Sequence, residues 1–435
     1  MIMEDIKGKI NLLIQRGLFH IFGTSIVNNI IQFLTNIFIV HLVSKNEYGV
    51  YTYANNIMSF FLLVRGLGLV SGLLQFASEE SSVEERIKIY KYTLVKGNQI
   101  NILLSIGLLL WSIFGYVKLD SSRIYLGAMA IVPILQWMFD YVTSIFRIKQ
   151  NNIWYARITN INTVIYFFCS VIGAKMFGVM GIIIARYFAF IASILIAFIY
   201  LKEDIRAMCL VNGKQYRQSK VLMKYSVTAC ASNSISELLY LLDVFLIGVF
   251  VGSPAIIASY KVATQIPTAL IFIPSGIMVF IYPYFASHNK DMEWIKKNYR
   301  RVIGVLAVVN GVISLVGIIL APFIVKLLWG DTYSDAILPF RILMFNYFVS
   351  GTLRIPCGNI LAMLRKVNVN LIVSIVSGIC NIIFDIILIK LWGSVGAAIA
   401  TLLVVFVSSF ISLPYLIFYV NKAIKKEKKE CLDGL

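Results

Sequence analysis

The sequence is poor in charge. Charged residues make up 14% of the chain and hydrophobic residues 59%, whereas soluble domains run near about 25% and about 45–50%. A soluble chain of 435 residues with this balance would lack the polar surface to cover its core, so an ordinary soluble enzyme is excluded. No Walker motif is present, so ATP drives nothing in this sequence. The three histidines, His20, His41 and His288, are scattered and form no metal constellation. The cysteines Cys169, Cys209, Cys230, Cys357, Cys380 and Cys431 lie in apolar stretches or basic loops, which argues against a disulfide framework. No large external loop carries paired acids of the kind a membrane glycosyltransferase or polymerase needs. No cofactor is expected.

Long apolar runs dominate what is there. They fall near 17–43, 48–75, 97–117, 123–146, 153–174, 179–201, 224–250, 254–286, 302–327, 335–363, 368–389 and 394–420. Each is close to the ~20 residues that a helix needs to cross a bilayer. The expected fold is therefore an all-α polytopic membrane protein with about twelve transmembrane helices. Connectors alternate between a short set and a basic set, the latter at 76–96, 147–152, 202–222, 287–301, 365–366 and the tail NKAIKKEKKE. Most of the 39 Lys and Arg fall in the basic set and the N-terminal lead. Positive charge stays cytoplasmic during insertion, so both termini are expected to face the cytoplasm. The net charge of +18 is then mainly topology, and no nucleic acid is expected as a partner. The lead from Met1 to Arg16 is basic, lacks a cleavable signal pattern, and is expected to lie along the membrane surface.

The polar segment Lys202 to Lys220 is the longest interruption, and the two sides of it echo each other. FGVMGIIIARY, from Phe177, matches WGSVGAAIATL, from Trp392; YGVYTYANNI, from Tyr48, resembles IASYKVATQI, from Ile257; Arg147 mirrors Arg365. Self-similarity in register indicates a duplicated unit. The expected domains are a six-helix lobe over 1–201, a cytoplasmic linker over 202–222, a second six-helix lobe over 223–420 and a basic tail over 421–435. The Gly178/Gly181 pair reads as spacing for close helix packing rather than a ligand loop.

Polar residues recur inside the spans. Ser25, Asn28, Gln32 and Asn36 form a stripe on the first, and Thr228, Ser232, Ser236, Tyr240 and Asp243 one on the seventh. Asn55 and Gln265 extend the set on the second and eighth. Such residues can glue membrane helices together, but stripes on equivalent helices favour a hydrated cavity. Ionisable residues are more telling, because a charge at mid-bilayer costs roughly 2.5–3.5 kcal/mol or more. Arg65, Arg157, Arg186, Lys261, Arg341 and Arg354 are the cationic candidates for binding an anionic cargo, since Arg suits phosphate by its bidentate fork. Snorkelling to an interface is the competing reading for each. Asp243, Glu237 and Asp140 are candidates for ion coupling, against a structural role neutralising a cation such as Arg186 or Lys261; Asp385 is the remaining acid within the spans.

The pattern resembles the Wzx-type polysaccharide flippases, lipid-linked oligosaccharide exporters of the MATE-like MOP superfamily. The resemblance rests on EYGVYTYANNI, RGLGL (from Arg65), LLDVFLIGVFVGS (from Leu241), ASYKVATQI, IYPYFA, WGDTY and NIIFDIILIKLWGSVGAAIAT, in this order along nearly the whole chain. One departure is Lys390-Leu391-Trp392, where a proline is expected before the glycine turn. The resemblance implies two six-helix bundles in a V around a central cavity, alternating access, and no enzymatic step. It also implies a polyprenyl-pyrophosphate-linked glycan as cargo; the expected setting is the bacterial cytoplasmic membrane, with membrane lipids and the glycosyltransferases and polymerase of the pathway as partners, while coupling to H⁺ or Na⁺ is left open. A MATE-type drug/cation antiporter of the same fold and a membrane enzyme of cell-envelope glycan synthesis are the alternatives. Drug cations would call for carboxylates in the cavity, whereas cations are in excess here.

Overall fold

In the computed structural model, residues 18–211, 216–288 and 291–433 are described, and all regular structure among them is helical. The basic lead up to Arg16 and most of the charge of the final tail lie outside the described residues and side chains. Contacts divide the chain into two compact units, Met1–Leu241 and Leu242–Leu435.

The first unit contains α1 (Leu18–Leu42), α2 (Lys45–Leu63), α3 (Leu69–Glu79), α4 (Val83–Phe114), α5 (Ser122–Ala128), α6 (Val132–Ile148), α7 (Asn152–Tyr200), α8 (Lys202–Leu210) and most of α9 (Ser219–Phe250). Short polar residues start several of these helices by capping free N–H groups. Ser44 and Glu47 form a capping box on α2, while Ser82 accepts from Glu85 N and Asn151 from Trp154 N. A fully buried Trp137 and Tyr141 centre the core of this unit, and the Tyr141 hydroxyl donates to Tyr90 O at 2.8 Å. Within the polar segment, α8 buries Met208 in that core and is tied down by Lys149–Asp204 at 2.7 Å. The first part of α9 belongs here too: Ser234 Oγ and Cys230 Sγ donate to Leu63 O. The contact division therefore falls within α9, beyond the polar segment 202–222.

The second unit comprises the end of α9, then α10 (Pro254–Leu270), α11 (Phe272–Ser287), α12 (Met292–Ile319), α13 (Ala321–Trp329), α14 (Ile337–Val349), α15 (Ile355–Met363) and α16 (Val367–Asp433). A wide π-type turn, Ser350–Arg354, joins α14 to α15. Behind it Asn310 accepts from the Tyr347 hydroxyl at 2.7 Å. The core of this unit packs Met278, Phe285, Ile295, Tyr299, Cys357 and Leu416.

Burial runs inside-out relative to a soluble protein. On α4 the buried side includes Asn101, Ser105 and Ser112, while Ile102, Leu103, Ile106, Leu110 and Ile113 are exposed. On α12 Asn310 and Ser314 are buried, while Val305, Val308, Val312 and Ile319 are exposed. An outward apolar face with an inward polar one fits lipid, where every polar group must find a partner inside the protein.

Two long helices double back. Gly178 has φ 56° and ψ −137°, and Gly393 has φ 56° and ψ −127°. Eight residues of straight helix would span about 12 Å. Instead the Gly173 and Gly181 backbones touch, so that a Cβ on Gly173 would lie 2.6 Å from Gly181 O, and Gly396 meets Leu388 O in the same way. Among the described residues, eight helices are long and apolar enough to cross a membrane. Counting each of the two hairpins as a pair of spans, and adding the bent pair α5–α6, gives eleven such segments among the described residues, and α9, at 32 residues, is long enough to make a twelfth.

A second pair of turns recurs at the same spacing as the glycine reversals. Gln150 and Arg365 are left-handed, at φ 56° and 58°. Each is followed by an N–H reaching back five residues, Asn151 N to Phe146 O and Lys366 N to Leu361 O, both 2.8 Å. Gln150 and Arg365 stand 215 apart, as do Gly178 and Gly393. Arg365 thus corresponds to Gln150, and not to Arg147 as the sequence match suggested. A substitution tests the hairpin. Gly181→Leu is expected to cost about 1–3 kcal/mol or more through overpacking, seen as a lower melting temperature of the purified protein. An unchanged melting temperature would mean that the two limbs do not cross this closely.

Candidate functional site

A polar cluster forms in each unit. In the first, Tyr51 on α2, Tyr166 and Arg186 on the two limbs of α7, and Asn55 on α2 come together. The hairpin at Gly178 is what brings Tyr166 and Arg186 side by side. The Arg186 guanidinium lies over the Tyr166 ring, 5.3 Å from its centroid, with Nη2 3.5 Å from the Tyr166 hydroxyl. Among the described residues no carboxylate pairs with Arg186. The Asn55 and Asn28 Oδ1 atoms are buried without a hydrogen-bond partner among the described residues.

In the second unit the cluster is acidic. Asp385 is fully buried and Asp243 is 9% exposed. Asp243 accepts from the Tyr260 hydroxyl and from Thr401 Oγ1, the latter at 2.9 Å. Asn381 Nδ2 donates to Asp385 Oδ2 at 3.0 Å, and the two carboxyl groups are within hydrogen-bonding reach of each other. The Asn381 and Asp385 Oδ1 atoms are left without partners among the described residues. Neither carboxylate forms an ion pair there. Two like charges in a site of low dielectric repel strongly. A proton or a small cation between them removes that repulsion. The donors are all oxygens, which suits a hard cation rather than a soft metal.

These clusters occupy equivalent places in the repeat. Tyr51 corresponds to Tyr260, an offset of 209, while Tyr166 corresponds to Asn381 and Arg186 to Thr401, both at the hairpin offset of 215. One half thus carries a built-in cation where the other carries a hydroxyl beside two carboxylates.

The other sequence candidates have the following surroundings. Arg65 sits in the break between α2 and α3, where Gly66, Leu67 and Gly68 all have positive φ. Its Nη2 pairs with Asp140 at 2.7 Å, so the Asp140 carboxylate is engaged structurally. Arg157 is exposed and stacks on Trp154, 4.9 Å from the ring centroid. Exposed Arg341 donates from Nε to Ile318 O, at the end of α12. Arg354 is half-buried and closes the π-type turn. Lys261 is exposed next to Tyr260, and Asp243 takes Tyr260 and Thr401 as partners instead of this lysine. Gln32, Asn36, Ser232 and Glu237 are exposed, and Gln265 is half-buried. The Ser236 side chain lies outside the described residues.

Sequence reasoning missed Tyr166, Tyr260, Asn381 and Thr401, and gave Asp385 no role. A usable signal existed in Asn381 and Asp385, which are four residues apart and share one helix face. The pairs Asn101/Ser105 and Asn310/Ser314, each 209 apart, were a further sign of the repeat.

A family model described as "Polysaccharide biosynthesis protein" matches residues 38–338. No curated protein matches the chain. Among solved structures it is similar to an inward-facing multidrug resistance MATE family transporter of the MOP superfamily, with TM-score 0.70 and 13% identity, covering 92% of this chain and 96% of that one. It is also similar to the lipid II flippase MurJ in an inward closed conformation, with TM-score 0.69 and 16% identity, covering 92% and 87%. A third is a MOP superfamily transporter from Pyrococcus furiosus, described as having a binding pocket of reverse polarity, with TM-score 0.60 and 12% identity, covering 94% and 96%. The helical hairpins, the twelve crossing segments and these likenesses agree: the chain belongs to the polysaccharide biosynthesis protein family and is a multi-pass membrane protein with the fold of the MOP transporters.

Proposed function

We propose that the chain is a flippase that moves a polyprenyl-pyrophosphate-linked oligosaccharide repeat unit from the cytoplasmic to the outer leaflet of the bacterial cytoplasmic membrane. The family match over residues 38–338 carries this reading. Arg186 supports it, because a guanidinium held among aromatic side chains and free of any carboxylate among the described residues suits a pyrophosphate. Flipping makes and breaks no covalent bond, so no catalytic group is needed. Both termini would face the cytoplasm, and glycosyltransferases and a polymerase would act before and after the transfer.

Ion coupling belongs to the same proposal. Asp243 and Asp385 would bind a proton or Na⁺, with Asn381, Thr401 and Tyr260 completing an oxygen shell. Their burial favours a small ion over an organic drug cation, which speaks against the antiporter alternative. Outward movement of a negatively charged lipid is also downhill in a membrane potential that is negative inside, by roughly 2.3 kcal/mol per charge per 100 mV.

Depletion of the protein in its host tests the reading. Lipid-linked repeat units are expected to build up on the cytoplasmic leaflet while surface polymer disappears. Accumulation on the outer leaflet would contradict it.

A further inference from the structure

The second unit contains a cavity of about 800 Å³ that neither polar cluster uses. Its wall on α16 is apolar, formed by Phe406, Phe410, Leu413 and Ile417. Lys422 and Lys425 close one end. Neither lysine pairs with a carboxylate among the described residues. Pro414 also lies in the wall. It has no N–H to donate to Phe410 O, and a proline inside a helix bends it. The Leu353 side of the cavity belongs to the π-type turn, a second departure from regular helix. The groove therefore runs along the bent α16, mostly apolar apart from Ser409 and Asn421, with Leu353 of the π-type turn beside it and two lysines at one end.

That is the chemistry of a site for a long hydrocarbon chain ending in an anion. From Phe406 to Lys422 is sixteen residues, or about 24 Å of helix at 1.5 Å per residue. One leaflet contributes about half of the ~30 Å hydrocarbon core, so an acyl chain of an ordinary phospholipid would leave the inner part of the channel unfilled. A chain longer than a leaflet is deep fills it. We propose that this groove holds the polyprenyl chain of the cargo lipid, with Lys422 and Lys425 against its phosphate, before the headgroup crosses; this rests on the flippase reading. The groove would hold the tail and its phosphate before transfer, and Arg186 the pyrophosphate during it.

The test uses the full chain in nanodiscs of a zwitterionic phospholipid and a diazirine-bearing polyprenyl monophosphate without sugar. Saturable photolabelling is expected at Phe410, Leu413 and Ile417. Unlabelled polyprenyl phosphate should displace it, and phosphatidylglycerol at the same concentration should not. Filling the groove with Leu413→Trp should cut labelling about fivefold or more. Lys422→Glu combined with Lys425→Glu, at the exposed end where folding is least at risk, should weaken apparent affinity about tenfold or more, each lysine near an anionic headgroup contributing about 1 kcal/mol. Saturable labelling that maps elsewhere would overturn the groove and leave the flippase standing. Equal displacement by phosphatidylglycerol would make it a phospholipid site and overturn the proposal. An absence of saturable labelling anywhere on the chain would count against the flippase reading itself.

Discussion

Asp243→Asn and Asp385→Asn are each expected to remove the dependence of transport on an ion gradient. Asparagine keeps the size and hydrogen bonding of the carboxyl while deleting its charge. With one carboxylate gone, the repulsion that draws a cation into the cluster vanishes, and Tyr260 and Thr401 retain a partner at position 243. A coupling free energy of the usual size, about 1–3 kcal/mol, corresponds to a 5–150-fold effect, so the gradient-driven component should fall about tenfold or more. Binding of the lipid-linked glycan should be largely unchanged. The measurement is transport in proteoliposomes with an imposed proton or Na⁺ gradient. If both variants still respond to the gradient as the parent does, the carboxylate pair is structural and the energy enters elsewhere. Glu237→Gln serves as a control, since Glu237 is exposed and lies outside the cluster.

The second large effect is expected at Arg186. Arg186→Ala and Arg186→Gln should lower export by about 10–100-fold, the loss that goes with a hydrogen bond between charged groups worth about 1.5–3 kcal/mol. Arg186→Lys should recover part of this, because an ammonium supplies the charge without the planar fork. The glutamine variant guards against a trivial collapse, since it keeps most of the side-chain volume packed on Tyr166. Melting temperature and protein level should stay near those of the parent. Normal export by the alanine variant would mean that Arg186 is the internal counterpart of Thr401 in the repeat and nothing more.

Much of the fold is legible in the sequence because lipid imposes a simple rule. Each crossing needs a long apolar stretch, and basic connectors mark one side, so the twelve spans stand out. The duplication was visible at Gly178/Gly393 because a tight reversal demands a residue that tolerates φ 56°, and glycine does so without strain. The break at Arg65–Gly68 was less visible. RGLGL reads as a continuous apolar run, and only the packing of Gly66 under Trp137 and of Gly68 on Cys230 shows why the chain must open there.

The sites were harder to read. Polar spacing placed Asn28, Gln32 and Asn36 on one stripe, but which stripe meets which is set by hairpins that join residues far apart in sequence. Tyr166 reaches Arg186 only because α7 folds back, and Thr401 reaches Asp243 across 158 residues. Charge alone did not distinguish the members of the cationic set. Arg65 pairs with Asp140 and Arg341 donates to Ile318 O, whereas Arg186 carries its charge among tyrosines.

The most direct measurement is flipping itself. Purified protein is reconstituted into liposomes whose inner leaflet carries a polyprenyl-pyrophosphate oligosaccharide, and a membrane-impermeant glycosidase or lectin outside reports its arrival. Time-dependent exposure of the glycan is expected with the parent protein, sharply reduced with Arg186→Ala. Exposure no faster than in protein-free liposomes, under every gradient and potential applied, would contradict a flippase.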